Sequence, residues 1–185
     1  QTASVAKCVI NSVKSAPVTA KGIIGDATRV SPAQMATCGK VRDPAEAKAL
    51  ANTLAGELSG KQLAALAAGD PTARQEYASM IATYENRKSL EKNTKSLLAG
   101  TQYNSNYAAN KKTTNYNYTQ YSKTILGGIA EYDKGLMQPP SYDVTSYHNK
   151  QVEPSWGEEN KGKYGLKNAQ QVGEHKFGSV ADRAF

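Results

Sequence analysis

Apolar residues recur at helical spacing through most of the first hundred positions. Val5, Cys8, Val9 and Val13 share one face and predict a short amphipathic helix that ends near Pro17. A connection over residues 21–30 leads to Ser31-Pro32-Ala33-Gln34, with Ser as cap, Pro at the first helical position and Gln three residues after the cap. The helical turn that follows carries Met35 and Cys38 and stops at Gly39. Asp43-Pro44-Ala45-Glu46 repeats the start signal, and Ala47, Leu50, Ala51, Leu54 and Leu58 then fall on one face until Ser59-Gly60 interrupts them. Leu63, Leu66 and Ala67 predict a short piece closed by Gly69. Asp70-Pro71 opens the longest expected helix, over residues 72–99, with Tyr77, Met80, Ile81 and Tyr84 on one stripe and Leu90, Leu97 and Leu98 further on. The apolar phase slips across residues 86–89, so this helix turns its buried face or bends there, and Gly100 ends it.

The pattern changes after Gly100. Residues 101–121 hold Tyr103, Tyr107, Tyr116, Tyr118 and Tyr121 among Asn and Thr, with no aliphatic side chain larger than Ala, which gives a conventional core nothing to bury. Asn115-Tyr116-Asn117-Tyr118-Thr119 alternates as a strand does, whereas Tyr103/Tyr107 and Tyr118/Tyr121 also fit a helix face. The segment equally continues into a helix over residues 122–136, where Tyr121, Ile125, Ile129, Tyr132 and Leu136 are spaced by four and three. Gly127-Gly128 weakens that helix but lets another backbone approach closely.

Pro139-Pro140 ends the regular pattern, and residues 141–185 are polar and glycine-bearing, with isolated large side chains such as Tyr142, Val144, Tyr147, Trp156, Tyr164, Phe177 and Phe185. The expectation is an irregular, extended arm, wrapped around a partner or laid on its own helical domain. The predicted organisation is therefore mainly α: a helical domain over residues 1–137 that includes the Tyr/Asn-rich segment, followed by an arm over residues 138–185. No repeat of 20–50 residues is visible.

Composition sharpens this picture. Only 39% of the 185 residues are hydrophobic, against roughly 45–50% in an average globular protein, and mean hydropathy is -0.60. A small core is expected. The longest apolar stretches, such as residues 63–68, fall far short of the roughly 20 residues of a membrane-spanning helix. The chain opens at Gln1 without an initiator Met, which leads us to expect a mature exported product, periplasmic or extracellular. Cys8 and Cys38 are the only cysteines and admit one intramolecular bridge, which staples the first helix to the second in an oxidising compartment. They form no C-x-x-C motif.

The charge is +7, from 23 basic and 16 acidic residues. Apart from Lys111-Lys112 the cations stand singly among acids, unlike a nucleic-acid-binding stripe, so nucleic acid is not the expected partner. An anionic envelope surface or a glycan fits the balance as well.

Chemistry-bearing motifs are scarce. His148 and His175 both lie in the expected arm without a helical metal-site partner, and G-x-S-x-G is absent. Gly22-Ile23-Ile24-Gly25 and residues 157–165 match neither a phosphate loop nor a dinucleotide fingerprint. Neither cofactor nor metal follows from the sequence. Glu57, Glu76, Glu85 and Glu91 lie on helical segments, where one of them is placed to serve a glycan-cleaving enzyme as general acid, although nearby Lys and Arg read as an ordinary solvated face. Asn117-Tyr118-Thr119 matches an N-glycosylation sequon.

The expected function is thus a non-enzymatic structural or interaction subunit of an exported assembly, docking other protein subunits through its tyrosines and its arm. The expected contact residues are Tyr103, Tyr107, Tyr116, Tyr118, Tyr121, Tyr142, Tyr147, Trp156, Tyr164, Phe177 and Phe185. A monomeric envelope glycan-binding module and a glycan-cleaving enzyme are the alternatives.

Overall fold

A computed structural model describes residues 8, 18–19, 22–23, 38–39, 41–90, 98, 103, 108–139, 144–152, 154 and 165–179. The α-helices that lie fully among these residues are α1 (Pro44–Glu57), α2 (Gly60–Ala67), α3 (Pro71–Leu90) and α4 (Lys111–Asp133), the last preceded by a 3-10 turn, Ala108–Asn110. Two-residue strands β1 (Val18–Thr19) and β2 (Gly22–Ile23) pair antiparallel, and β3 (Ser146–Asn149), β4 (Lys167–Val172) and β5 (His175–Ser179) form an antiparallel sheet in the order β3-β5-β4. The protein is mainly helical, and the disulfide Cys8–Cys38 is formed with both cysteines buried.

The helix starts follow their expected chemistry. Asp43 Oδ2 accepts from the Glu46 amide (3.1 Å) and Asp70 Oδ2 from the Ala73 amide (2.9 Å). Ser59 does more than interrupt α1: its hydroxyl accepts from the Gln62 amide while Gln62 Oε1 accepts from the Ser59 amide, closing a capping box at the head of α2. Gly69, at φ 78°, ends α2 with its N–H on Leu66 O and the next amide, Asp70, on Ala65 O.

The Tyr/Asn-rich segment is α-helical from Lys111 onward, after the 3-10 turn, and of its earlier residues only Tyr103, which is not helical, is described. Residues 115–119, which alternate like a strand, lie inside α4, and the period of 3.6 sends Thr114, Asn117, Ile125, Ile129 and Tyr132 inward. α1 makes its most extensive helix contact with α4. Asn117 Nδ2 donates to Ala55 O (3.1 Å) and Leu58 O (3.0 Å), so a buried amide satisfies carbonyls at the C-terminal end of α1. The same burial makes Asn117 a poor glycan acceptor. What approaches Gly128 is the ring of Tyr77, not another backbone: a Cβ there would lie 2.5 Å from Tyr77 Cε1. The Tyr77 hydroxyl donates to Ile125 O (2.5 Å), pinning α3 to α4.

α3 is the central element. From Glu76 to Arg87 every residue is buried, so over this stretch the helix is covered all round and shows no single apolar stripe. Expected helical residues after Leu90 lie outside the described residues except Leu98, which is helical. The two expected helices before residue 40 also lie largely outside the described residues, although Cys8 is helical.

The C-terminal region differs from the expected irregular arm. Its described part is the three-stranded sheet, packed on α3, with Val144, Val172 and Phe177 in the same core as Leu50, Leu63, Met80 and Ile81. The reason lies in pairing. Each strand is too polar to bury itself, but β5 lies between the other two, and Phe177 opposite Tyr147 with His175 two positions on gives one inward face. Gly173, at φ 62°, takes the first place of the two-residue turn joining β4 to β5.

Two neighbouring glycines on α4 should respond with opposite signs. Gly128→Ala forces a methyl into a buried ring and is expected to cost about 1–3 kcal/mol. Gly127→Ala meets no atom within 4 Å and is expected to stabilise by roughly 0.5–1 kcal/mol through helix propensity. Urea unfolding with the disulfide intact measures both.

Candidate functional site

The glutamates considered for catalysis are internal tethers wherever they are described. Glu76 is 2% exposed: Oε1 accepts from Gln62 Nε2 (2.7 Å), and Oε2 accepts from the Glu174 amide (2.5 Å), with His175 Nδ1 3.5 Å away. A Cβ on Gly173 would collide with this carboxylate, so glycine lets the β4–β5 turn seat its amide there. Glu57 Oε2 accepts from the Tyr147 hydroxyl (3.1 Å), and burial together with the Glu57 charge pushes the Tyr147 phenol well above its ordinary pKa, which keeps it a donor. Glu91 lies outside the described residues.

Glu85 belongs to a knot around Arg42. The Arg42 guanidinium donates from Nε and Nη2 to the two oxygens of Asp133 (3.0 and 2.8 Å) and from Nη1 to Glu85 and Glu46. Burial opposes its charge, but the Asp133 bonds and the Glu85 charge outweigh burial and hold its pKa above the ordinary value. Glu46 also accepts from Lys88 Nζ (2.6 Å) and Tyr84 Oη (2.9 Å). Burial raises the Glu46 carboxyl, and the bonds from Lys88 and Tyr84 with the nearby cations more than offset it, leaving the pKa low. Glu85, more deeply buried, is driven up by desolvation against the pull of Arg42. The disulfide docks beside this knot: Gly39 N–H donates to Asp133 O (3.0 Å), and Cys8 Sγ lies 3.3 Å from the same oxygen.

The clefts lined by described residues include two beside these groups. One, about 400 Å3, lies over Glu76 between the starts of α2 and α3 and the Gly173-Glu174 turn. The other, about 480 Å3, runs between the end of α2 and α4, floored by Leu66, Gly128 and Met137 and edged by Arg74, Lys123 and Gly127. Arg74 donates to Glu131 Oε2 (2.7 Å) across one end. Among the described residues no group of three or more His, Cys, Asp or Glu is placed to hold a metal.

The tyrosines and phenylalanines separate into three groups. Tyr103 and Phe177 are buried in the core, and Tyr147 is packed against His175 and Phe177, so these three face inward rather than toward a partner. Tyr118 and Tyr121 are half-buried against the core. Tyr116 alone among the described aromatic side chains is exposed, at 64%. Tyr107, Tyr142, Trp156, Tyr164 and Phe185 lie outside the described residues.

Tyr116 sits in the middle of the outward face of α4, which at 100° per residue carries Lys112, Tyr116, Thr119, Gln120, Lys123 and Gly127, all exposed. This face continues into the second cleft through Lys123 and Gly127. The lysines on this face do not stand among acids as the whole-chain reading of charge has it: between Glu91 and Glu131 the sequence contains five Lys and no Asp or Glu. That run, readable from the sequence alone, is the signal the general charge balance hides. Compared with known proteins, the chain matches no protein family, no curated protein and no solved structure.

The knot makes two measurable demands. Arg42→Met leaves Glu85 and Asp133 without their buried counter-charge and should cost about 3–5 kcal/mol. Glu46→Gln should cost about 1 kcal/mol near neutral pH. Because the folded-state pKa of Glu46 is depressed, that difference should shrink as pH falls below the ordinary value of 4.5. Glu85→Gln should run the other way, gaining on the parent as pH rises above 4.5, since the folded-state pKa of Glu85 is raised. Denaturant midpoints across pH 3–8, an interval of roughly two protonation regimes for carboxylates, test both slopes.

Proposed function

We propose that this chain is an exported, non-catalytic interaction protein whose working surface is the outward face of α4. One observation carries the reading: Tyr116 is 64% exposed on a helix face that carries lysine, threonine and glutamine and no acid, while α4 fills the core from its other side. A large aromatic side chain left in water among polar neighbours contributes little to the fold and suits recognition. The buried disulfide favours an oxidising compartment, since such bridges are rare where thiols are kept reduced. The described helices include none long and apolar enough to cross a membrane.

Two expectations change with the fold. The C-terminal region supports docking less than an extended arm would, because Val172, His175 and Phe177 anchor its described part on the chain's own helices. The non-catalytic reading draws support from Glu57, Glu76 and Glu85, each of which accepts a hydrogen bond from another part of the fold.

Two experiments test the proposal. Protein taken from producing cells with thiols trapped at lysis should carry no label on Cys8 or Cys38, and labelling of both would remove the case for export. A benzophenone side chain at position 116 should give covalent adducts in those cells, whereas the same group at Val152, 58% exposed beyond β3, should not. Equal adducts at the two positions, or none at 116, would overturn the assignment of the surface.

A further inference from the structure

Resting on that reading of α4, we infer that the partner is an acidic polysaccharide laid along the helix from Lys112, across Tyr116, to the cleft at Gly127. Lys112 is one turn before Tyr116 and Lys123 two turns after it, so at 1.5 Å per residue the two ammonium-bearing positions stand about 16 Å apart along the axis. Thr119 and Gln120 lie between them, with a hydroxyl and an amide to meet sugar hydroxyls, and the Tyr116 ring offers an apolar face to a sugar ring. Beyond Lys123 the face drops into the cleft of about 480 Å3, where Gly127 has no atom within 4 Å of a would-be Cβ, Thr124 supplies a polar edge, and the one acid of the lining, Glu131, is paired with Arg74 at 2.7 Å. A cleft of that size falls in the range that encloses a small ligand or a few units of a polymer.

The charges are placed for a ligand rather than for the helix. Lys111 and Lys112 occupy the first turn of α4, where the positive pole of the helix disfavours cations, and Asn110 provides no side-chain cap. Among the described residues no carboxylate pairs with Lys111, Lys112 or Lys123. Their charges are left for solvent or an anionic ligand to meet, and an anionic chain would meet them.

Other polyanions and proteins match less well. Duplex DNA presents a charge every ~1.7 Å and is held by many closely spaced cations, not by cations spread over three helical turns. A protein interface concentrates apolar and aromatic area at its centre and is depleted of lysine, whereas this face has one aromatic ring flanked by lysines. A carboxylated sugar polymer asks for what is present: sparse charge, hydrogen-bonding side chains and one stacking ring.

The test is binding of the full, oxidised chain to polygalacturonate, with neutral dextran, polyglutamate and poly(dT) as comparisons. Polygalacturonate should bind, and the other three should bind far more weakly. Tyr116→Ala should weaken binding by about fivefold or more, Lys112→Gln with Lys123→Gln should flatten its dependence on salt, and Lys150→Gln, in the turn just after β3, should do neither. Circular dichroism confirms that each variant folds. Equal affinity for polyglutamate or poly(dT) overturns the sugar class. Absence of polygalacturonate binding while position 116 still crosslinks in cells overturns the partner and leaves the surface standing. Binding that survives all three α4 substitutions overturns the surface itself.

Discussion

A helix enclosed on every side has no face on which to leave polar groups in water, and α3 carries many of them. Each therefore needs a partner inside the protein, and each partner ties down a different element. Glu76 takes the Gln62 amide of α2 and the Glu174 amide of the β4–β5 turn, Tyr77 reaches α4, Glu85 meets Arg42 ahead of α1, and Asn86 Nδ2 donates to Val144 O where the chain enters β3. Ser79 and Thr83 are satisfied locally, by carbonyls one turn back. The small core is thus supplemented by polar ties radiating from one helix. This is how a chain of low hydrophobic content attaches a separate sheet and a disulfide-bearing segment to the same centre.

What the sequence made legible was local. Asp43-Pro44 and Asp70-Pro71 announce helix starts because a cap and the residues it serves lie within three positions, and Gly69 announces an end for the same reason. The bridge was legible because two cysteines leave one pairing. The sheet was not. Lys167–Val172 and His175–Ser179 read as polar tail until β3 supplies Tyr147 across from Phe177, and that partner lies some thirty residues away in sequence. The tie at Glu76 was less legible still, because the amide that occupies it comes from Glu174.

The candidate site was half legible. The Tyr/Asn composition drew attention to the right segment, but composition does not say which side of a helix a residue takes, and the period assigns Asn117 to the core and Tyr116 to water. Glutamates that look catalytic on a helical wheel become acceptors once the neighbouring elements arrive. Charge was misleading in the average and informative by segment: acids are plentiful elsewhere and missing along most of α4.

The disulfide has a bearing on the order in which the protein can assemble. Cys8 and Cys38 both precede α1 in the chain, yet the carbonyl beside which they rest belongs to Asp133, and the Arg42 guanidinium depends on the same residue's carboxylate. Glu76 and Asn86 likewise wait for Glu174 and Val144. The bridge joins residues thirty positions apart, and its place beside Asp133 is complete only once α4 is present. Contacts of such long sequence separation make late, slow steps. The N-terminal half, although it contains most of the helices, becomes a finished structure only when nearly the whole chain has been delivered.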